Sequence, residues 1–184
     1  MKVLDLIKLL QDIDQYENAP LDSKEVCDLL EAVRWSPSAA NIQPWEVYVI
    51  EDKSLKKELD GCVLDPLLRE KMQDNRISKA PVVIVIAMDK KRARARFGQS
   101  GEEFYALQDL AVAANNLRLA AAERGIGSTW IREVNLEKVA KVLGLSKLIR
   151  PVALLTMGYT ANRDSTRPAP LEIKEWVHVH KGGD

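Results

Sequence analysis

Apolar positions along this chain fall into two patterns: a recurrence every three or four residues that predicts helices, and short unbroken runs that predict strands. Val3, Leu6, Ile7 and Leu10 share one helical face near the start. After a turn at Glu17-Asn18-Ala19-Pro20, Asp22 is a candidate N-cap with Glu25 at the capping-box position. The helix it opens buries Val26, Leu29, Leu30 and Val33. It stops before Ser36-Pro37-Ser38, because the residue ahead of a proline avoids the helical region. Glu46 to Ile50 reads as a strand from its β-branched and aromatic content. A polar helix over 53–60 ends near Gly61, and the charged stretch 62–79, interrupted by Pro66, reads as helix fragments and loop. Pro81 then opens the run Val82 to Met88, whose unbroken apolarity predicts a strand covered on both faces.

Residues 90–101 are basic, contain Gly98 and Gly101, and read as a solvated loop. The longest helix follows, from about Glu102 to Arg124, with Leu107, Leu110, Ala111, Ala114, Leu117 and Ala121 at helical spacing. Its many alanines allow close packing on several sides, which predicts a place at the centre of the molecule or in a subunit interface. Ile126 to Ile131 is a glycine-containing loop or short strand. Asn135 caps a helix through Leu143 that Gly144 closes, and Val152 to Met157 is a further apolar strand. Trp176-Val177-His178-Val179-His180 alternates and suits an edge or exchanged strand. Together these segments predict an α+β fold, a three-layer α/β/α sandwich around a central mixed sheet, as a single domain over residues 1–184.

Composition narrows the picture. Lys+Arg and Asp+Glu are each 27, so the formal net charge is zero and gives no electrostatic ground for a nucleic-acid or membrane partner. The basic run Lys90 to Arg96 lacks interleaved aromatics and does not change that. No stretch reaches the roughly 20 apolar residues of a bilayer span, and the N-terminus lacks an uninterrupted apolar core and a cleavage site. The two cysteines, Cys27 and Cys62, form no CxxC; Cys27 sits in an apolar helical stretch and reads as a core thiol. A soluble, cytoplasmic protein is the expectation. His178 and His180 share one face of the last predicted strand without a third ligand, so no metal site is predicted.

Three stretches carry the candidate chemistry. The first is Arg34-Trp35-Ser36-Pro37-Ser38-Ala39-Ala40-Asn41-Ile42-Gln43-Pro44-Trp45, a proline-stiffened turn presenting hydroxyl and amide groups. The second is Gln108 to Leu117 running into Gly125-Ile126-Gly127-Ser128-Thr129-Trp130-Ile131, and the third is Val152 to Tyr159 followed by Arg163 and Arg167. In order and wording they resemble the FMN-dependent nitroreductase family, over about residues 20 to 175. The resemblance implies a homodimer with two flavin sites at its interface. It further implies a ping-pong hydride transfer from NAD(P)H through FMN to a small electron-poor acceptor, such as a nitroaromatic or quinone. The flavin would carry the redox chemistry, so no catalytic side chain is expected. No GxGxxG follows a strand, and no Rossmann dinucleotide fold is predicted.

Carried over position by position, the resemblance assigns Pro37, Ser38 and Ala39 to the flavin from one subunit. Asn41 and Gln43 would meet its pyrimidine edge or tie the loop down. Gly127, Ile131 and Arg132 would approach the ring, with a backbone N–H at Ile131 or Arg132 toward N5. Arg167, with Ser165, falls at the tail position that binds the phosphate, and Arg163 competes for that role; a guanidinium fork suits a phosphate. The pattern departs at the N-terminus. The family's Arg-Arg-Ser-x-Arg motif, which binds the phosphate and ribityl chain, is matched here by Leu10-Gln11-Asp12-Ile13-Asp14, without a basic residue. Two acidic side chains near a phosphate are repulsive. This leaves open a second class: a flavin-free or weakly flavin-binding dimeric ligand-binding protein on the same scaffold.

Overall fold

The computed structural model describes residues 2–13, 15–64, 75–160 and 169–180. Four strands form one sheet in the order β1-β2-β4-β3: β1 is Trp45–Ile50, β2 Val82–Asp89, β3 Ile126–Ile131 and β4 Ile149–Tyr159. Every pairing among the described residues is antiparallel, not mixed as expected from the sequence. The unbroken apolar run of β2 arises because helices cover both faces of the sheet, and that coverage is compatible with either strand direction. Val82, Ile84, Ile86 and Met88 point to one core and Val83 and Val85 to the other. The register shifts between Ile86 and Ala87, which face Ala153 and Pro151, so Val152 is the extra residue of a bulge in β4.

The first core lies under α2 (Ser23–Arg34) and the long helix α6 (Ala106–Glu123). Asp22 caps α2 by accepting from the Lys24 N–H at 3.2 Å. Glu25 does not complete a capping box; Tyr159, at the end of β4, donates its hydroxyl to both Glu25 carboxylate oxygens at 2.7 Å. The buried stripe of α2 is Val26, Leu29 and Val33. Cys27 lies off that stripe and is exposed, contrary to the core position read from the sequence, whereas Cys62 is buried. The second core lies on the opposite face under α3 (Lys53–Asp60), the short α4 (Arg76–Lys79) and α7 (Leu136–Val142), with α7 capped by Asn135 accepting from the Lys138 N–H at 3.0 Å. The three layers are thus as predicted. The N-terminal helix α1 (Val3–Leu9) buries none of its residues.

Residues 90–101 are not the loop read from the sequence. Helix α5 (Lys90–Ser100) starts at Asp89, whose carboxylate accepts from the Lys91 and Arg92 N–H groups at 2.8 and 3.1 Å. Arginine, lysine and alanine are good helix formers, and an aspartate N-cap precedes them. A π-helical turn, Gly101–Tyr105, joins α5 to α6. A Cβ at Gly101 would lie 2.1 Å from the Ala93 carbonyl oxygen, so this junction requires glycine. Trp176 to His180 makes no strand within the chain; the described tail, 169–180, is exposed throughout. Among the described residues, no helix is long and apolar enough to cross a membrane and no cluster of His, Cys, Asp and Glu could hold a metal ion.

Candidate functional site

The turn at Ser36 to Gln43 is tied to α6 from below. Ser36 donates to the Ala32 carbonyl at 2.7 Å and accepts from Asn116 Nδ2 at 2.8 Å. The Asp109 carboxylate accepts from the Ala39 N–H at 3.1 and 3.2 Å. Burial pushes the Asp109 carboxyl above its ordinary pKa, and the Ala39 N–H opposes that shift. Within the turn, Ser38 Oγ accepts from the Gln43 N–H at 2.9 Å, and Asn41 Oδ1 accepts from Gln43 Nε2 at 3.3 Å. Ala40, Asn41 and Gln43 have φ of 51°, 54° and 51°, a left-handed conformation uncommon outside glycine. Arg92 of α5 closes the far side, donating to the Gln43 and Trp45 carbonyls at 2.9 and 3.1 Å and pairing with Glu46 and Asp89. Pro37, Asn41 and Gln43 stay exposed, and Trp35 beside them is 77% exposed.

The second group lies along β3, an edge strand whose outer side is crossed by the N-terminal segment. Ile13 donates its N–H to Thr129 Oγ1 at 2.6 Å, and the same hydroxyl donates back to the Ile13 carbonyl at 2.7 Å. Tyr16 follows, its hydroxyl bonded to Thr156 Oγ1 at 2.8 Å, and burial raises its pKa. Gly127 has its reason in this crossing: a Cβ there would lie 2.7 Å from Ile13 Cγ1 and 2.9 Å from Thr160 Cγ2. The close approach that Gly127 permits within the chain is therefore to Ile13 and Thr160. Ile131 is buried, while exposed Arg132 carries its guanidinium over the Trp130 ring at 4.6 Å.

At the start of β3, Leu10, Gln11, Ile13, Ser128 and Thr160 line a shallow cleft. It joins the N-terminal segment to the point from which the tail departs. Ser165 and Arg167, with Arg163, lie outside the described residues, as does Asp14. Asp12 is described and is not a bare charge. It accepts from Arg118 Nη2 at 2.8 Å.

Arg118 is the residue that the sequence reading missed. It lies on α6 between Leu117 and Leu119, is 8% exposed, and donates through Nε to Ser128 Oγ at 3.2 Å and through Nη2 to the Ser128 carbonyl at 3.3 Å. An arginine interrupting an apolar helix face was the available signal, because a cation placed there needs an anion from elsewhere in the chain.

The turn and the β3 group do not meet in one chain. Trp45, which ends the turn, begins β1 at one sheet edge, and Ile131 ends β3 at the other, three strand spacings away, or at least roughly 14 Å. None of these site residues lines either of the two large clefts. One, of about 890 Å³, runs from Tyr16 to α3 and contains Lys56, whose ammonium donates to the Ala80 and Pro81 carbonyls at 2.7 and 3.0 Å. The other, of about 1180 Å³, lies beside α7 with Lys141, Lys147 and Arg150 on its walls. On the lone chain the turn presents Pro37, Asn41 and Gln43 to solvent, whereas β3 is buried apart from half-buried Trp130 and leads into exposed Arg132 at its end.

The sequence profile of the nitroreductase family matches residues 12–159. The crystal structure of a nitroreductase family protein from Streptococcus pneumoniae TIGR4 superposes with a TM-score of 0.83 at 26% identity, covering 97% of this chain and 100% of that one. An FMN reductase [NAD(P)H] of Bacillus subtilis is 26% identical over 180 residues, 89% of this chain and 69% of its own length. A structure from Exiguobacterium sibiricum 255-15, solved in complex with FMN, shares the fold with a TM-score of 0.85 at 19% identity over 98% of each chain. With the profile running from Asp12 through the turn, α6 and β3 to the end of β4, this chain belongs to the nitroreductase family.

Proposed function

We propose that the protein is an FMN-dependent NAD(P)H oxidoreductase that works as a homodimer, the Ser38 turn of one subunit facing β3 of the other. Bound flavin would accept a hydride from NAD(P)H and pass electrons in a second half-reaction to a small electron-poor acceptor such as a nitroaromatic or quinone. The observation that carries this reading is the separation of the two groups. Each is tied to the scaffold by hydrogen bonds, each ends in exposed residues, Asn41 and Gln43 on the turn and Arg132 after β3, and they stand apart on the sheet, an arrangement that a second chain would close around one planar ring.

The residues at the ring end fit such a molecule. Ser38 Oγ accepts from Gln43 and keeps its own proton to donate. The exposed amides of Asn41 and Gln43 offer donors and acceptors to a pyrimidine edge. As an edge strand, β3 turns backbone groups outward around Ile131 and Arg132. The opposite end does not fit a phosphate equally well, since no cation lines the cleft at the start of β3 among the described residues. The second reading, a flavin-free ligand-binding dimer, draws its support from that same end.

The test is to titrate the purified protein with FMN, follow visible absorbance and flavin fluorescence, and then add NADH or NADPH with a nitroaromatic or quinone. Protein-bound flavin and acceptor-dependent NAD(P)H oxidation are expected. Absence of any bound flavin at tens of micromolar would overturn the proposal and favour the second reading.

A further inference from the structure

The Arg118–Asp12 pair has a consequence for which flavin the site takes, and this inference rests on the flavin reading above. Arg118 is held from below by Ser128 and meets its anion, Asp12, at the surface, where the Asp12 side chain is 55% exposed and that of Arg118 only 10%. The pair stands next to the cleft at the start of β3, whose described lining contains no cation. The pair is anchored at Ser128, three residues before Ile131 on the same extended strand, so its anchor and the ring end lie roughly 10 Å apart along one edge. A molecule laid along β3 with its ring at Ile131 brings its far end to Asp12.

A phosphate arriving there meets a guanidinium already neutralised and a carboxylate facing outward. Taking Arg118 for itself would leave Asp12 unpaired beside a dianion, so one charge-assisted contact is gained as another is lost. We propose that Asp12 serves as a built-in substitute for the cofactor phosphate, and that the site therefore binds its flavin by ring and ribityl chain, with little preference for FMN over riboflavin.

Fluorescence titration of FMN and riboflavin against the wild type, Asp12→Asn and Asp12→Ser tests this. In the wild type the two dissociation constants are expected to agree within about threefold. In either variant Arg118 is released to an incoming phosphate, and FMN affinity should rise about tenfold or more, the scale of one charge-assisted hydrogen bond. Riboflavin, lacking the phosphate, should gain far less and reports that the variant is folded. A strong FMN preference in the wild type that the variants leave unchanged would assign the phosphate to other residues, such as the tail arginines, and overturn the inference while leaving the flavin reading intact. If neither flavin binds any of the three proteins, the flavin reading fails and takes this inference with it.

Discussion

Asp109 shows how a single side chain sets the geometry of the turn. It stands in the first turn of α6 and gives the Ala39 N–H its acceptor, thereby holding a stretch in which three non-glycine residues adopt positive φ. Replacing it with Asn keeps an oxygen in place and is expected to cost under about 1 kcal/mol, whereas Leu strands the Ala39 N–H and should cost about 1–3 kcal/mol. Urea denaturation of both variants checks the difference, and the Leu variant should also lose flavin affinity. Because burial raises the Asp109 pKa above its ordinary 3.8, the folded protein takes up this proton before the unfolded chain as the pH falls. The buried charge is then relieved, so the wild type should gain stability relative to Asp109→Asn as pH drops through the folded value toward 3.8. The local anchors of this scale were legible from the sequence: Asp22 and Asn135 cap the helices assigned to them. Glu25 and Arg118 were not, because Tyr159 and Asp12 reach them from 134 and 106 residues away, and no local pattern encodes such a partner.

At the scale of elements, the join between α5 and α6 is the most constrained. The π turn brings Gly101 onto the Ala93 carbonyl, and a methyl group there has nowhere to go. Gly101→Ala is expected to destabilise the protein by more than about 1 kcal/mol, the scale of an overpacked site, with a lower urea midpoint as the readout. The same variant should weaken the Arg92 clasp on Gln43 and Trp45, since that arginine rides on α5. The sequence placed β1, β2, β4 and the long helix within a few residues of their observed bounds, because burial dictates their apolar runs. It missed α5 because the basic run and Gly98 resemble a loop, although Asp89 and the alternating alanines favoured a helix. It missed the direction of the strands because helices on both faces erase the alternation that usually marks an antiparallel sheet.

The whole molecule leaves much apolar surface without cover. Leu171, Ile173, Trp176 and Val179 of the tail are 58–76% exposed, and Trp35, Phe104 and Val112 are exposed on the body. Scattered apolar residues on a monomer need no explanation, but a cluster of this kind is surface that the partner in the proposed dimer would cover. The proposed dimer would bury this tail against the partner. The double substitution Leu171→Ser with Trp176→Ser should weaken dimerisation at least about tenfold, given ~25 cal/mol per Å² of apolar area. Sedimentation velocity across a dilution series would read this. A wild type that is monomeric at high micromolar concentration would remove the basis of the dimeric site.

In the proposed dimer the uncovered tail would also tie folding to abundance. A chain whose apolar surface is finished only by its twin is stabilised by mass action, in proportion to the logarithm of how far its concentration exceeds the association constant's reciprocal. Its melting temperature should climb as the sample is made more concentrated and sink on dilution, with no change of buffer. For such a molecule, scarcity itself acts as a denaturant, and the half-sites on Ser38 and Ile131 would be lost together with the pairing that completes them.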